Sequence, residues 1–189
     1  MGRWQPDARG RLARAAMELY LERGFDRTTV GQITERAGLT TRTFFRHFAD
    51  KRDVLFLGGD ELRERVAQAI AAAPAAWPAA KAAASGLIVA AAALQPGRAE
   101  ARERRSLLLA TPELRERELI TFASMAAAIG EVLRARGSAE RAARVTAEAM
   151  VAAFRTAFEY WGEHPDQELT QLVDEVLDEL KAAFGSSGE

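Results

Sequence analysis

The sequence predicts an all-α fold. Apolar residues recur at three- and four-residue spacing along almost the whole chain, β-branched runs are absent, and the segments so marked are bounded by capping residues, glycines and prolines. A chain of 189 residues with 48% apolar and 28% charged content is long enough to bury a core. About nine helices fit the pattern, a compact group of three short ones preceding a larger helical body.

The first helix opens after Asp7 as N-cap, sets Leu12, Ala16, Leu19 and Tyr20 on one face, and stops at Gly24, with Phe25 as a core anchor. Thr29 and Gln32 form a capping box for a short helix whose inner stripe is Val30, Ile33 and Ala37. Gly38 ends it, Thr40 caps the next, and Phe44 and Phe48 share a face one turn apart. Asp50 is expected to cap a long helix with Asp53 in its first turn and Val54, Leu55, Leu62, Val66 and Ile70 inside, so that Gly58 and Gly59 fall in its interior. After Pro74 and Pro78 an Ala-rich helix covers about residues 79–94, and a charged one runs from Ala99 to Leu109. Thr111, Pro112 and Glu113 open a helix with Leu119, Phe122, Ala126, Ile129 and Leu133 inside; another starts at Ser138. The last, about residues 166–184, carries a broad apolar stripe, and residues 186–189 are expected to be a disordered tail.

Composition excludes several chemistries. No cysteine is present, which removes disulfides, thiolate nucleophiles and cysteine-ligated metals. Only His47 and His164 are available, too few for a multi-histidine metal cage, and neither has a motif-placed partner. No Walker A loop, GxGxxG or GxSxG occurs, so nothing points to an enzyme or to a cofactor. From Val66 to Gly97 the only charge is Lys81, but alanine dominates and the prolines interrupt, so a core helix is expected rather than a membrane span. The opening MGRWQPDARG lacks an apolar signal core, and the cytoplasm is the expected location.

A net charge of −1 conceals an asymmetry: residues 1–52 hold eleven basic against six acidic side chains, and the remainder is acidic. A basic head on an acidic body suits a polyanion-binding module on a carrier that does not itself bind nucleic acid. Two short helices joined by Ala37, Gly38 and Leu39 make a helix-turn-helix, and Thr40, Thr41, Arg42, Thr43 and Arg46 lie where a recognition helix presents its N-terminal end to base edges.

The run Gly24-Phe25-x-x-Thr28-Thr29-Val30-x-x-Ile33-x-x-x-Ala37-Gly38-Leu39-Thr40-x-x-Thr43-Phe44-Phe45-x-His47-Phe48-x-x-Lys51, followed by Leu55, resembles the tetracycline-repressor (TetR) family of bacterial regulators. The resemblance covers about a quarter of the chain. It implies a DNA-binding domain over residues 1–52 and a ligand-binding and dimerisation domain over residues 53–185. It further implies phosphate contacts from Thr29, Thr40, Phe45, Arg46 and Lys51, with Thr41, Arg42 and Thr43 facing bases. Phe45 stands where tyrosine is usual and so lacks the phenolic hydrogen bond; Arg42 stands where glycine is common and suits bidentate reading of guanine. Gly31 removes a polar contact that some members have.

In the body, the large side chains Trp77, Phe122, Met125, Met150, Phe154 and Phe158 among many alanines are the candidate ligand-binding residues, with Ser106, Thr121 and Ser124 as candidate polar groups. The family implies a homodimer built from its last two helices, and the stripe Leu169, Leu172, Val173, Val176, Leu177 and Leu180 is the expected interface. The function so implied is a ligand-responsive regulator, a repressor released from a palindromic double-stranded DNA operator by a small hydrophobic or amphipathic effector. The alternative is a helical small-molecule-binding protein or enzyme without a DNA role, which leaves the basic head unexplained. Gly58 and Gly59, as a soft point in a helix joining head to pocket, are expected to act as a hinge.

Overall fold

The computed structural model describes residues 7–185, and the tail expected at 186–189 lies outside them. The described residues form nine α-helices and no strand: α1 (Ala8–Arg23), α2 (Val30–Arg36), α3 (Thr41–His47), α4 (Gly59–Ala72), α5 (Ala79–Leu94), α6 (Arg98–Ala110), α7 (Pro112–Ala135), α8 (Glu140–Glu163) and α9 (Leu169–Gly185). They gather into two compact units. One comprises the described residues up to Gly58 together with Glu103–Glu118; the other comprises Gly59–Arg102 and the described residues from Leu119 onward. The structural division therefore falls at Gly58 and is discontinuous, whereas the functional division implied by the resemblance lies at residue 52.

In the first unit the local signals act as expected. The Asp7 carboxylate accepts the Gly10 N–H at 2.8 Å, and Leu12, Ala16, Leu19 and Tyr20 are buried along α1. Phe25, Ile33, Phe44 and Phe48 close the core, joined by Leu107, Leu108 and Leu114 from the α6–α7 corner. Phe44 is fully buried with its ring 5.4 Å from that of Phe48, so truncating it to alanine would cost about 3–5 kcal/mol.

The helix expected from Asp50 onward is not continuous. Asp50 accepts the N–H groups of Arg52 and Asp53 at 2.7 and 3.3 Å, but what it caps is a 3₁₀ turn, Asp53–Phe56. Leu57 then extends the backbone at φ −55° and ψ 132°, and Gly58 follows at φ 83°. Gly58 thus lies outside any helix, in a conformation that a Cβ disfavours, and α4 begins only at Gly59. The glycine pair expected inside a helix is instead a break between a turn and a helix.

The core of the second unit is built around α5, whose buried face is Ala82, Ala83, Gly86, Leu87, Ala90 and Ala91. Gly86 is required by close approach: a Cβ there would lie 2.8 Å from Ile70 Cγ1 of α4. By length and composition the run Ala79–Ala110 could cross a membrane, yet it comprises α5, a 3₁₀ turn at Gln95–Gly97 and α6, and α5 forms core. Arg98 holds the α8–α9 corner, donating to the carbonyls of His164, Pro165 and Gln167 while its guanidinium covers the buried Trp161 ring at 4.8 Å. Arg136 does the same for the end of α4, donating to Ala73 O at 2.7 Å and Pro74 O at 2.8 Å.

Two expectations about faces are corrected here. Leu169, Leu172, Val173 and Leu177 are at most 4% exposed and belong to the protomer's own core, with Val176 and Leu180 packed against it. The apolar stripe of α9 is largely consumed by α5 and α8 of the same chain, so Leu169, Leu172, Val173 and Leu177 have little surface left for a second copy, while Val176 and Leu180 stay half-buried. Leu119, expected inside, is 59% exposed and belongs to neither core, at the point where α7 passes from one unit to the other.

Candidate nucleic-acid interface

The turn between α2 and α3 is tied by backbone bonds, Gly38 N–H to Glu35 O at 3.0 Å and Leu39 N–H to Thr34 O at 2.8 Å, with Gly38 at φ 62°. The capping box is complete: Thr29 Oγ1 accepts the Gln32 N–H at 3.3 Å and Gln32 Oε1 accepts the Thr29 N–H at 3.0 Å. At the next helix start Thr40 Oγ1 accepts the Thr43 N–H at 3.2 Å and lies 3.0 Å from Thr43 Oγ1. Both caps are exposed, and each hydroxyl keeps capacity for a further partner.

On α3 the buried side is Phe44, while Thr41, Arg42, Phe45 and Arg46 are exposed and Thr43 is half-buried. Phe45 is 56% exposed, its ring edge-on to Phe44 at 5.4 Å, an apolar surface held rigid from beneath. Arg46 sits beside His47, with 3.4 Å between guanidinium and imidazole nitrogens. The structure therefore brings Thr40, Thr41, Arg42, Phe45 and Arg46 onto one short helix and its cap, an exposed surface with two cations.

Lys51 does not join them. Its ammonium donates to Phe25 O at 2.8 Å and Thr28 O at 3.0 Å and lies 4.2 Å from the Phe25 ring centroid. The adjoining cleft of about 340 Å³ is lined by Asp26, Asp50 and Glu113 as well as Lys51 and Arg52, an unfavourable setting for phosphate. The phosphate contact expected of Lys51 is replaced by an internal task, holding the loop that leads to Thr28 and Thr29. Tyr20 completes this brace, its hydroxyl donating to Lys51 O at 2.6 Å; burial pushes its pKa up, so the phenol stays protonated.

Two further braces had no signal in the sequence. Arg36 at the end of α2 forms a fork with Glu22 at 2.8 Å and reaches Glu18 at 3.2 Å, both on α1. Arg104 donates to Leu55 O at 2.9 Å and pairs with Glu118 at 3.2 Å. Burial lowers the Arg104 pKa and the Glu118 carboxylate opposes it, so the pair holds the 3₁₀ turn through a charge removed from water. Such partners are far apart in sequence, and only a tertiary fold reveals them.

Of the ligand-binding candidates, Met150 and Phe154 lie in the core of the second unit, and Phe122, Met125 and Phe158 pack against it. Phe154 and Phe158 stack with centroids 6.2 Å apart, and Phe158 meets Trp161 at 5.6 Å. Trp161, fully buried, was missed by sequence reading, since nothing in an amphipathic helix distinguishes it. Trp77 stands apart in the α4–α5 connection beneath Lys81, 4.4 Å from its ring centroid. Ser124 accepts a bond from Arg63 at 3.0 Å, and Ser106 is exposed and turned back to Glu103 O.

An all-helical chain with an exposed, threonine-capped recognition helix has the architecture of a DNA-binding regulator. Residues 12–56 match the model for bacterial regulatory proteins of the tetR family, and residues 75–185 match that for the MftR C-terminal domain. The chain belongs to the TetR family of transcriptional regulators. It is 42% identical over 67 residues to the HTH-type transcriptional regulator TcmR of Streptomyces glaucescens, a match spanning 35% of this chain and 30% of that protein's length. Among solved structures, the fatty acid degradation regulator FadR of Bacillus halodurans is similar at TM-score 0.63 and 18% identity, over 96% of this chain and 98% of that one. FadR of Thermus thermophilus, a repressor in complex with lauroyl-CoA, matches at TM-score 0.59 and 22% identity over 93% and 94%. SmeT, the Stenotrophomonas maltophilia multidrug efflux pump repressor, is similar in its triclosan complex at TM-score 0.65 and 19% identity over 93% and 90%. These identities speak for the fold.

Proposed function

We propose that the protein is a homodimeric repressor that binds a palindromic DNA operator through α3 and is released by a small hydrophobic or amphipathic effector in the body. The observation that carries the DNA role is the exposed end of α3, where Arg42 and Arg46 project beside the Thr40 cap. In this reading Arg42 reads a base in the major groove, with Thr41 and Thr43 beside it. Thr29, Thr40 and Arg46 hold phosphate, and Phe45 offers apolar contact to sugar or a thymine methyl. Two α3 helices related by a two-fold axis would address two half-sites.

Support for the effector comes from the aromatic and methionine side chains of α7 and α8 that lie in or against a core whose α5 face is mostly alanine. Small residues opposite large ones suit a cavity that an apolar ligand could open or fill. Proteins of the same fold are described with lauroyl-CoA, an amphipathic acyl thioester, and with triclosan, a small aromatic compound. A DNA role without catalysis in the cytoplasm fits this assignment. The test is fluorescence anisotropy on an operator selected from random duplexes, with and without a fatty acyl or aromatic compound that raises the melting temperature. Tight, salt-sensitive binding that such a compound relieves supports the reading; binding equal to that on scrambled duplex refutes it.

A further inference from the structure

The second unit holds two buried polar atoms without a hydrogen-bond partner among the described residues, one a donor and one an acceptor. We infer that Trp161, Gln167 and Arg98, where the start of α6 meets the α8–α9 corner, form a subsite for the polar end of the effector, and that this end is a hydroxyl. The inference rests on the effector reading and adds the chemistry of the ligand.

Met150, Phe154, Phe158 and Trp161 follow one another at four-, four- and three-residue spacing, so they form one stripe along α8. The stripe is apolar until its last member. Trp161 is fully buried, yet its indole N–H is unpaired among the described residues, and so is the buried Oε1 of Gln167. Both atoms belong to residues gripped by the same guanidinium: Arg98 covers the Trp161 ring at 4.8 Å and donates to the Gln167 carbonyl, as it does to those of His164 and Pro165. The corner is pinned elsewhere too. The Gln167 N–H is given to His164 O at 3.2 Å, and Gln95 Oε1 accepts the Leu169 N–H at 2.7 Å. Leaving a buried donor or acceptor unmet is costly, and here the backbone that carries one of them is fixed in place.

An indole N–H can only donate, and a side-chain amide oxygen can only accept. An ether, ester or thioester oxygen would answer Trp161 and leave Gln167 unmet. A carboxylate would answer Trp161 but set its charge against the Gln167 oxygen, while the guanidinium that could offset it already gives N–H groups to three carbonyls. A hydroxyl answers both with one atom. Water has the same capacity, but only a ligand with an apolar body also covers Phe158 and Phe154, whose helix packs against the alanine face of α5. The ligand class is therefore an apolar alcohol or phenol.

Four probes of one shape test this: biphenyl and its para-methoxy, para-hydroxy and para-carboxylate derivatives, with affinities taken from the melting shift of the full chain. The wild type should bind the hydroxy compound about tenfold more tightly than the methoxy compound, the methoxy compound several-fold more tightly than biphenyl, and the carboxylate more weakly than the hydroxy compound. Trp161→Phe should erase the preference for methoxybiphenyl over biphenyl. Gln167→Leu should erase only the preference for hydroxybiphenyl over methoxybiphenyl, whereas a merely structural role would weaken all four probes alike. If Trp161→Phe fails to fold by circular dichroism, the wild-type order and Gln167→Leu still decide. A carboxylate bound tightest would overturn the inference in favour of charge recognition by Arg98. A hydroxy compound no tighter than biphenyl would show that water meets the two atoms, and no binding of any probe would equally overturn the subsite. In each of these cases a compound of other chemistry that relieves operator binding leaves the effector reading standing. Binding in the expected order without relief of operator binding refutes that reading and leaves the subsite.

Discussion

Arg42 projects from the first turn of α3, and Lys51, only nine positions on, is folded back onto the Phe25 and Thr28 carbonyls. Two cations of the same basic head therefore have different tasks. Arg42→Ala should cost about 1–3 kcal/mol of operator binding and relax preference at one position in each half-site, as a selection from random duplexes would show. Arg46→Ala should reduce the slope of log affinity against log salt by about one for each phosphate no longer neutralised, whereas Lys51→Met should lower affinity through a loosened loop with that slope intact. A smaller slope in Lys51→Met would mean that the ammonium reaches phosphate after all. Asp50 adds a pH dependence. Hydrogen bonds from Arg52 hold its carboxyl below the usual range. Its folded pKa is depressed, so the stability it contributes is present above the ordinary carboxylate range and lost as pH falls through the folded value. The stability gap between wild type and Asp50→Asn, measured by urea unfolding, should be positive near neutrality, modest because the group is only half-buried, and shrink on acidification.

At the scale of elements, α1 to α3 were legible because their determinants are local. Asp7, Thr29 and Thr40 cap within three residues of themselves, and Ile33, Phe44 and Phe48 fall at helical spacing. The segment after Asp50 was illegible for the opposite reason. Asp50 does cap, and Val54 and Leu55 are buried, but only the backbone conformation of Leu57 and Gly58 shows the helix broken. A glycine inside a helix would gain stability on replacement by alanine, but at Gly58 the sign reverses. With φ at 83°, Gly58→Ala should destabilise by about 1–2 kcal/mol, read as a lower urea midpoint. The stripe of α9 was likewise visible as a stripe, but periodicity does not say whose core it enters. Leu177, 4% exposed, packs within its own protomer, so Leu177→Glu should cost more than about 3 kcal/mol and lose helical signal on mild heating rather than yield folded monomers.

For the whole molecule, the fold class and family were open to sequence reading because a quarter of the chain carries a dense, ordered motif and the rest shows clear helical periodicity. The body was less legible. Its alanines give little directional signal, and the braces made by Arg98, Arg104 and Arg136 join residues tens of positions apart. The same distance dependence explains why the candidate DNA surface could be named almost residue by residue while Trp161 could not. The proposed operator, and its release by an effector, depend on α3 reading DNA. The most direct measurement is selection of bound sequences from a random duplex pool by the wild-type chain. The prediction is an inverted repeat whose half-sites lie about 34–36 Å apart centre to centre, one helical turn or a multiple of it. A pool unchanged from its starting composition, or a consensus without inverted symmetry, would contradict the account.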